Sequence, residues 1–118
     1  MGSSGVLLTW RQIMATITKA LARAAASLTT TTNLYTVPAS TTAVVTNIAV
    51  TNTAAGSGTF TIAMGPSGAT IPLHTTTAIP ANSTVYIDLK QTLAATNVIT
   101  GGASAVTINF HISGVEIA

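Results

Sequence analysis

The chain has 118 residues, with four basic and two acidic side chains, so that charged residues make up 5% of it against about a quarter in a typical soluble protein. That length suits one domain. The scarcity of charge argues against nucleic-acid binding, which needs several clustered cations, and leaves few groups for acid–base chemistry. Disorder is excluded from the other side, by 47% hydrophobic residues and a mean hydropathy of +0.59. Cysteine is absent, and no apolar run approaches the ~20 residues of a membrane span. The expectation is a protein that is no enzyme, takes no cofactor or metal, and has neither nucleic acid nor membrane as partner.

Threonine takes the place of charge, at about a fifth of the chain. It is β-branched and favours strands, while its hydroxyl wets a surface without charging it. Neutral faces repel one another weakly, which suits a protein packed into an assembly.

Residues 1–28 read as an N-terminal arm and 29–118 as a body. The arm holds Arg11, Lys19 and Arg23 and no acid. These cations interrupt the apolar stretch that a secretory signal requires. Val6, Leu7, Leu8 and Trp10 form a small apolar cluster near its start, followed by Ile13. From Ile17 the spacing through Leu21, Ala24 or Ala25, and Leu28 matches an apolar helical stripe. Alanine favours helix, and Lys19 and Arg23 share another face. The pattern predicts one short helix over 15–27.

The body alternates strands and turns. Strands are expected at 33–37, 42–52, 59–64, 70–74, 83–89, 97–100 and 105–114. Residues 42–52 are apolar on both faces and read as a central strand. Pro72 places its strand at an edge. Residues 83–89 turn Val85, Ile87 and Leu89 inward and Thr84, Tyr86 and Asp88 outward. The last strand buries Val106, Ile108, Phe110 and Ile112 and exposes His111. Gly65-Pro66-Ser67-Gly68 and Gly101-Gly102 read as turns. Seven or eight short strands at this spacing predict an all-β, antiparallel sandwich of jelly-roll type. Residues 37–45 and 79–87 echo each other, each a strand end, a Pro-Ala corner and a new strand. Reuse of one turn chemistry accounts for the echo more simply than duplication.

Motifs of chemistry are sparse. His74, His111, Asp88 and Glu116 lack the short-spaced histidine pair of a zinc site. No Gly-x-Ser-x-Gly elbow or phosphate-binding loop is present. Trp10, Tyr35 and Tyr86 are isolated, and suit core or interface anchors better than a sugar platform.

The run from Asn33 to Thr53 (NLYTVPASTTAVVTNIAVTNT) resembles the opening of small β-sandwich virion proteins of tailed bacteriophages. Ile79–Val85, Leu93–Ile99 and the close at Gly114–Ile117 are similar to the same group. The resemblance covers about residues 33–117 and lies in strand ends and turns; the arm matches nothing in it. It implies a virion structural protein, foremost a capsid decoration (cement) protein on the outer surface of the shell. Such a protein binds the major capsid protein and forms a trimer or dimer. A tail, baseplate or fibre component is the alternative, and a carbohydrate-binding sandwich the third. In the decoration reading Val6, Leu7, Leu8, Trp10, Ile13, Ile17 and Leu21 hold the arm to its neighbours. Arg11, Lys19 and Arg23 meet acidic capsid surface.

Overall fold

The structure is a computed structural model that describes residues 16–118. Eight strands follow one another: β1 (Thr16–Ala25), β2 (Asn33–Thr36), β3 (Thr42–Asn52), β4 (Gly58–Gly65), β5 (Ile71–Ile79), β6 (Ser83–Leu93), β7 (Val98–Ala103) and β8 (Ile108–Ile117). They form two antiparallel sheets of four, β1-β8-β3-β6 (sheet A) and β2-β7-β4-β5 (sheet B). The first strand pairs with the last, the second with the seventh, the third with the sixth and the fourth with the fifth. The chain is thus one long hairpin with its tip at the β4–β5 turn. Rolling it brings β3 against β8 and β4 against β7. This rolled hairpin is the jelly roll, in line with the expected all-β sandwich.

The core lies between the inner faces. Val45, Ile48, Val50, Ile108, Phe110 and Ile112 from sheet A meet Tyr35, Phe60, Ile62, Ile79 and Ile99 from sheet B, all buried. Phe60 and Phe110 cross the divide edge to face, with centroids 6.4 Å apart and planes at 72°, a geometry that aromatic quadrupoles favour. As expected, β3 is a central strand and β5, with Pro72, an edge.

Four local expectations change. Residues 16–25, where the spacing predicts helix, form strand β1 instead, and no helix occurs among the described residues. Helix preference is worth well under 1 kcal/mol per residue, whereas β1 gains a ladder along β8 with Thr16 opposite Ile117 and Ala25 opposite Asn109. A bulge between Ala20 and Ala22 turns Leu21 into the core, where it is 8% exposed.

Gly101-Gly102 is no turn either, because β7 runs through both glycines. A Cβ on Gly102 would collide with the Thr29 and Ser27 carbonyl oxygens, and one on Gly101 with the Thr61 carbonyl. The pair admits close backbone neighbours on both sides. Val106, expected inside, lies in the turn before β8 and is exposed. The strand over 70–74 extends as β5 to Ile79, through an irregular register at Ile62 and a left-handed Thr76 (φ 48°).

The two echoed segments adopt one geometry. Both pass from sheet B to sheet A, as β2→β3 and β5→β6. In each, the residue after Pro-Ala is left-handed, Ser40 at φ 58° and Asn82 at φ 51°. In each, the next hydroxyl donates back to the alanine carbonyl: Thr41 to Ala39 at 3.2 Å and Ser83 to Ala81 at 2.9 Å.

Candidate interaction surfaces

The β8 alternation that buries Ile108, Phe110 and Ile112 also turns Glu116 inward, where it is 8% exposed. A buried carboxylate needs partners, and it has two. Tyr35 of β2, in the opposite sheet, donates its hydroxyl to Oε2. Lys19 of β1, one strand over, donates its ammonium to Oε1 at 3.2 Å. The Tyr35 hydrogen bond, opposed by burial and aided by Lys19, holds the Glu116 carboxyl below its ordinary value. Burial, the hydrogen bond and the neighbouring charge all push the Tyr35 phenol up. Both groups keep the states that the hydrogen bond needs, and the trio fastens β1, β8 and β2 together.

The outer face of sheet A carries Arg23 on β1 and Asp88 and Lys90 on β6, and is otherwise uncharged among the described residues. One cross-strand row reads Arg23, His111, Ala49 and Tyr86 from β1 to β6. On the next, Asn47 donates to Asp88 at 3.0 Å. Thr51 and Thr84 share a hydroxyl hydrogen bond of 3.1 Å. A shallow open groove of about 430 Å³ lies between Thr18, Arg23, Thr46, Ser113 and Val115. Its lining joins these hydroxyls to the side chains of Arg23 and Lys19, unlike the enclosed apolar pocket that is the norm for a small molecule. Among the described residues no three His, Cys, Asp or Glu side chains stand together as a metal site.

Of the residues read as partner-binding, Val6, Leu7, Leu8, Trp10, Arg11 and Ile13 lie outside the described residues. Ile17 is 53% exposed at the edge of sheet A. Arg23 is exposed on the outer face. Lys19 points the other way, to Glu116. Leu21 belongs to the core, because the bulge at Ala20 reverses its direction.

Glu116 and Asn52 were missed as polar core residues, whereas Tyr35, read as a core or interface anchor, lies in the core. For Glu116 the signal was present: one more step of the alternation past Gly114 points it inward. Asn52, 1% exposed, holds the β3–β4 loop by donating to the Gly56 carbonyl (2.9 Å) and accepting from the Ala54 amide (3.0 Å). Its strand parity also pointed inward, but amides at strand ends are common on surfaces too.

Fold and surfaces together define a jelly roll with neutral, hydroxyl-rich faces. No protein-family model matches the chain, and none of the curated proteins compared is similar to it. Among solved structures it is similar to a pentameric capsid protein isolated from metagenomic phage sequences, at 17% identity, 86% of this chain, 60% of that chain and a TM-score of 0.40. It is also similar to the acid-stable capsid structure of Helicobacter pylori bacteriophage KHP30, at 10% identity over 88% of this chain and 92% of that one, TM-score 0.49. A third is the Tobacco streak virus coat protein, at 12% identity over 90% and 85%, TM-score 0.41. The chain spans 60% of the length of the first of these. All three of these are viral capsid or coat proteins.

Proposed function

We propose that the chain is a structural protein of a virus particle, a decoration protein that sits on the outer surface of the shell and stabilises contacts between capsomers. The observation that carries this reading is the chemistry of the outer faces. The jelly roll presents mostly Thr, Ser, Ala and Asn outward, and its buried carboxylate is neutralised by Lys19 from the edge strand. Such faces pack side by side with little repulsion. Area buried across a seam then favours the closed shell over free subunits, since binding to one state stabilises it by mass action.

In this reading the major capsid protein is the partner, and the apolar cluster Val6, Leu7, Leu8, Trp10 and Ile13 is the tether. Ile17, Lys19 and Arg23 continue it as the first strand of the body. The tether is then testable without harming the sandwich only by removing residues 1–15, because a cut at 28 also removes β1 and Leu21 from the core.

Antibody-gold labelling of intact particles that contain the chain tests the reading. Label spread over the shell is expected, and its loss when residues 1–15 are deleted. Label confined to the tail would replace this reading with a tail or fibre role, and label on no particle would overturn both.

A further inference from the structure

Sheet edges are where a β protein meets its neighbours, since they carry unpaired backbone donors and acceptors. The two sheets treat their edges differently. In sheet B, β2 has four residues, and β5 is broken by Pro72 and by the left-handed Thr76. Both are poor templates for another strand. In sheet A the edges are β1 and β6, of ten and eleven residues, with no proline and one bulge each. Among the described residues no strand pairs with the outer side of either.

These two edges fit each other. Every neighbour in sheet A is antiparallel, so β1 and β6 run in opposite directions. A copy placed beside the sheet in the same orientation brings its β1 antiparallel to β6, and the sheet continues. Arg23 on β1 and Asp88 on β6 are both exposed on the outer face, where β6 also carries Lys90 two residues further along. Asp88 accepts from Asn47 through Oδ1 at 3.0 Å, which leaves Oδ2 as a further acceptor. Each edge also carries an exposed apolar side chain, Ile17 at 53% and Tyr86 at 71%. A two-fold contact of β1 with β1 would set the cations of one copy against those of the other. A two-fold contact of β6 with β6 would leave both β1 edges open.

We propose that β1 of one copy pairs antiparallel with β6 of the next, Arg23 opposite Asp88, so that copies join head to tail with sheet A continuous across the contact. A repeated head-to-tail contact of this kind closes into a ring when its rotation divides the circle. The inference deepens the shell reading, on which it rests, by naming a second copy of the chain as the partner of this edge.

Charge reversal on the full chain tests it, with assembly followed by sedimentation as a function of concentration and salt. Arg23→Glu sets an acid opposite Asp88, and Asp88→Arg sets a cation opposite Arg23, while Lys90, two residues further along β6, is unchanged in both. Each variant alone should need about tenfold more protein for half assembly. An equimolar mixture of the two should recover the wild-type behaviour, because every contact between unlike copies then pairs opposite charges. Circular dichroism and melting of each variant confirm that the fold is kept, and the neutral pair Arg23→Gln and Asp88→Asn should weaken assembly less. A wild-type chain that stays monomeric at every concentration overturns the proposal. So does an effect of one reversal alone, which marks a two-fold contact or a contact within the chain, and so does a mixture that fails to recover. A monomeric chain that still labels particle shells would sink the edge contact and leave the shell reading standing, whereas self-assembly without particle labelling would do the reverse.

Discussion

Glu116 on β8 and Tyr35 on β2 meet across the interior, the tyrosine hydroxyl donating to the carboxylate from the opposite sheet. Polar contacts between the sheets of a sandwich are uncommon in a core filled by Val, Ile and Phe, and this one is completed by Lys19 on the edge strand. It is the point where β1, an edge strand of sheet A, is tied to both sheets.

Stability should therefore depend on pH at both ends of the scale. The folded state depresses the Glu116 pKa, so its contribution is complete above the ordinary carboxylate value and is lost as pH falls through the lower, folded value. The folded state raises the Tyr35 pKa, so that contribution is complete below the ordinary phenol value near 10 and is lost as pH rises beyond it. Melting temperature should be flat between about pH 5 and pH 9 and fall on either side. Tyr35→Phe leaves Glu116 buried with Lys19 alone; it should lower stability by roughly 1.5–3 kcal/mol at pH 7 and move the acid limb to higher pH. Lys19→Ala, which removes a half-exposed partner, should cost under about 1 kcal/mol. Melts of the three chains from pH 3 to 11 check the order. An acid limb unmoved by Tyr35→Phe would separate the carboxylate's titration from the tyrosine.

Glycine tolerance should vary sharply with position. At Gly102 and Gly114 a Cβ would run into backbone carbonyl oxygens, of Thr29 and Val44 respectively. Backbone cannot rotate away as a side chain can, so Gly102→Ala and Gly114→Ala should each lose roughly 1–3 kcal/mol or more. At Gly56 nothing lies within 4 Å of the added atom and the backbone is not left-handed. Gly56→Ala should be neutral or stabilise by about 0.4–1 kcal/mol, through the unfolded chain. Denaturant midpoints of the three variants give the comparison directly.

Much of this fold was legible as period-two alternation. In β8, Ile108, Phe110 and Ile112 point inward and His111 outward, as the pattern requires, and the doubly apolar β3 is central. The failures have physical causes. In β1 the apolar residues satisfy a helical spacing as well as a strand, and the decision rests with β8, more than eighty residues away. Gly101-Gly102 carries the composition of a turn, but its meaning comes from the Ser27 and Thr29 carbonyls that a local reading cannot see. The Tyr35–Glu116 bond joins residues 81 apart. Alternation assigns each of them a side, yet only the rolled topology brings them together. Of the residues expected at a partner surface, Ile17, Lys19 and Arg23 are exposed, Lys19 while bonded to Glu116, and Leu21 is buried in the core.

Asn52 tests how far a single buried amide controls a loop. Its Nδ2 donates to the Gly56 carbonyl at 2.9 Å and its Oδ1 accepts from the Ala54 amide at 3.0 Å. Asn52→Ala should lower stability by about 0.5–1.5 kcal/mol, because it takes the side-chain partner from two part-buried backbone groups. Asn52→Asp keeps the acceptor and loses the donor, and adds a buried charge. It should be at least as damaging at pH 7 and should recover in part when the pH is lowered. An aspartate variant as stable as the parent at neutral pH would show that the loop is held by other contacts.

The paired corners at Ser40 and Asn82 offer a comparison within one molecule. Both residues are left-handed, and both are followed by a hydroxyl that closes the turn onto the alanine carbonyl. Left-handed backbone costs most L-residues roughly 1–2 kcal/mol, less for asparagine, whose side chain bonds locally. Serine lacks that ease, so Ser40 bears more strain than Asn82 in the same geometry. Ser40→Asn and Ser40→Gly should therefore stabilise, by up to about 1 kcal/mol. Asn82→Ser should destabilise by a similar amount, and Asn82→Gly should change little. A β-branched residue at either corner, Ser40→Val or Asn82→Val, should cost about 1–2 kcal/mol. Urea denaturation of the set reads these differences. Equal responses at the two corners would mean that the strain is set by the turn and not by the residue, and opposite signs at Ser40 would remove the left-handed backbone as its source.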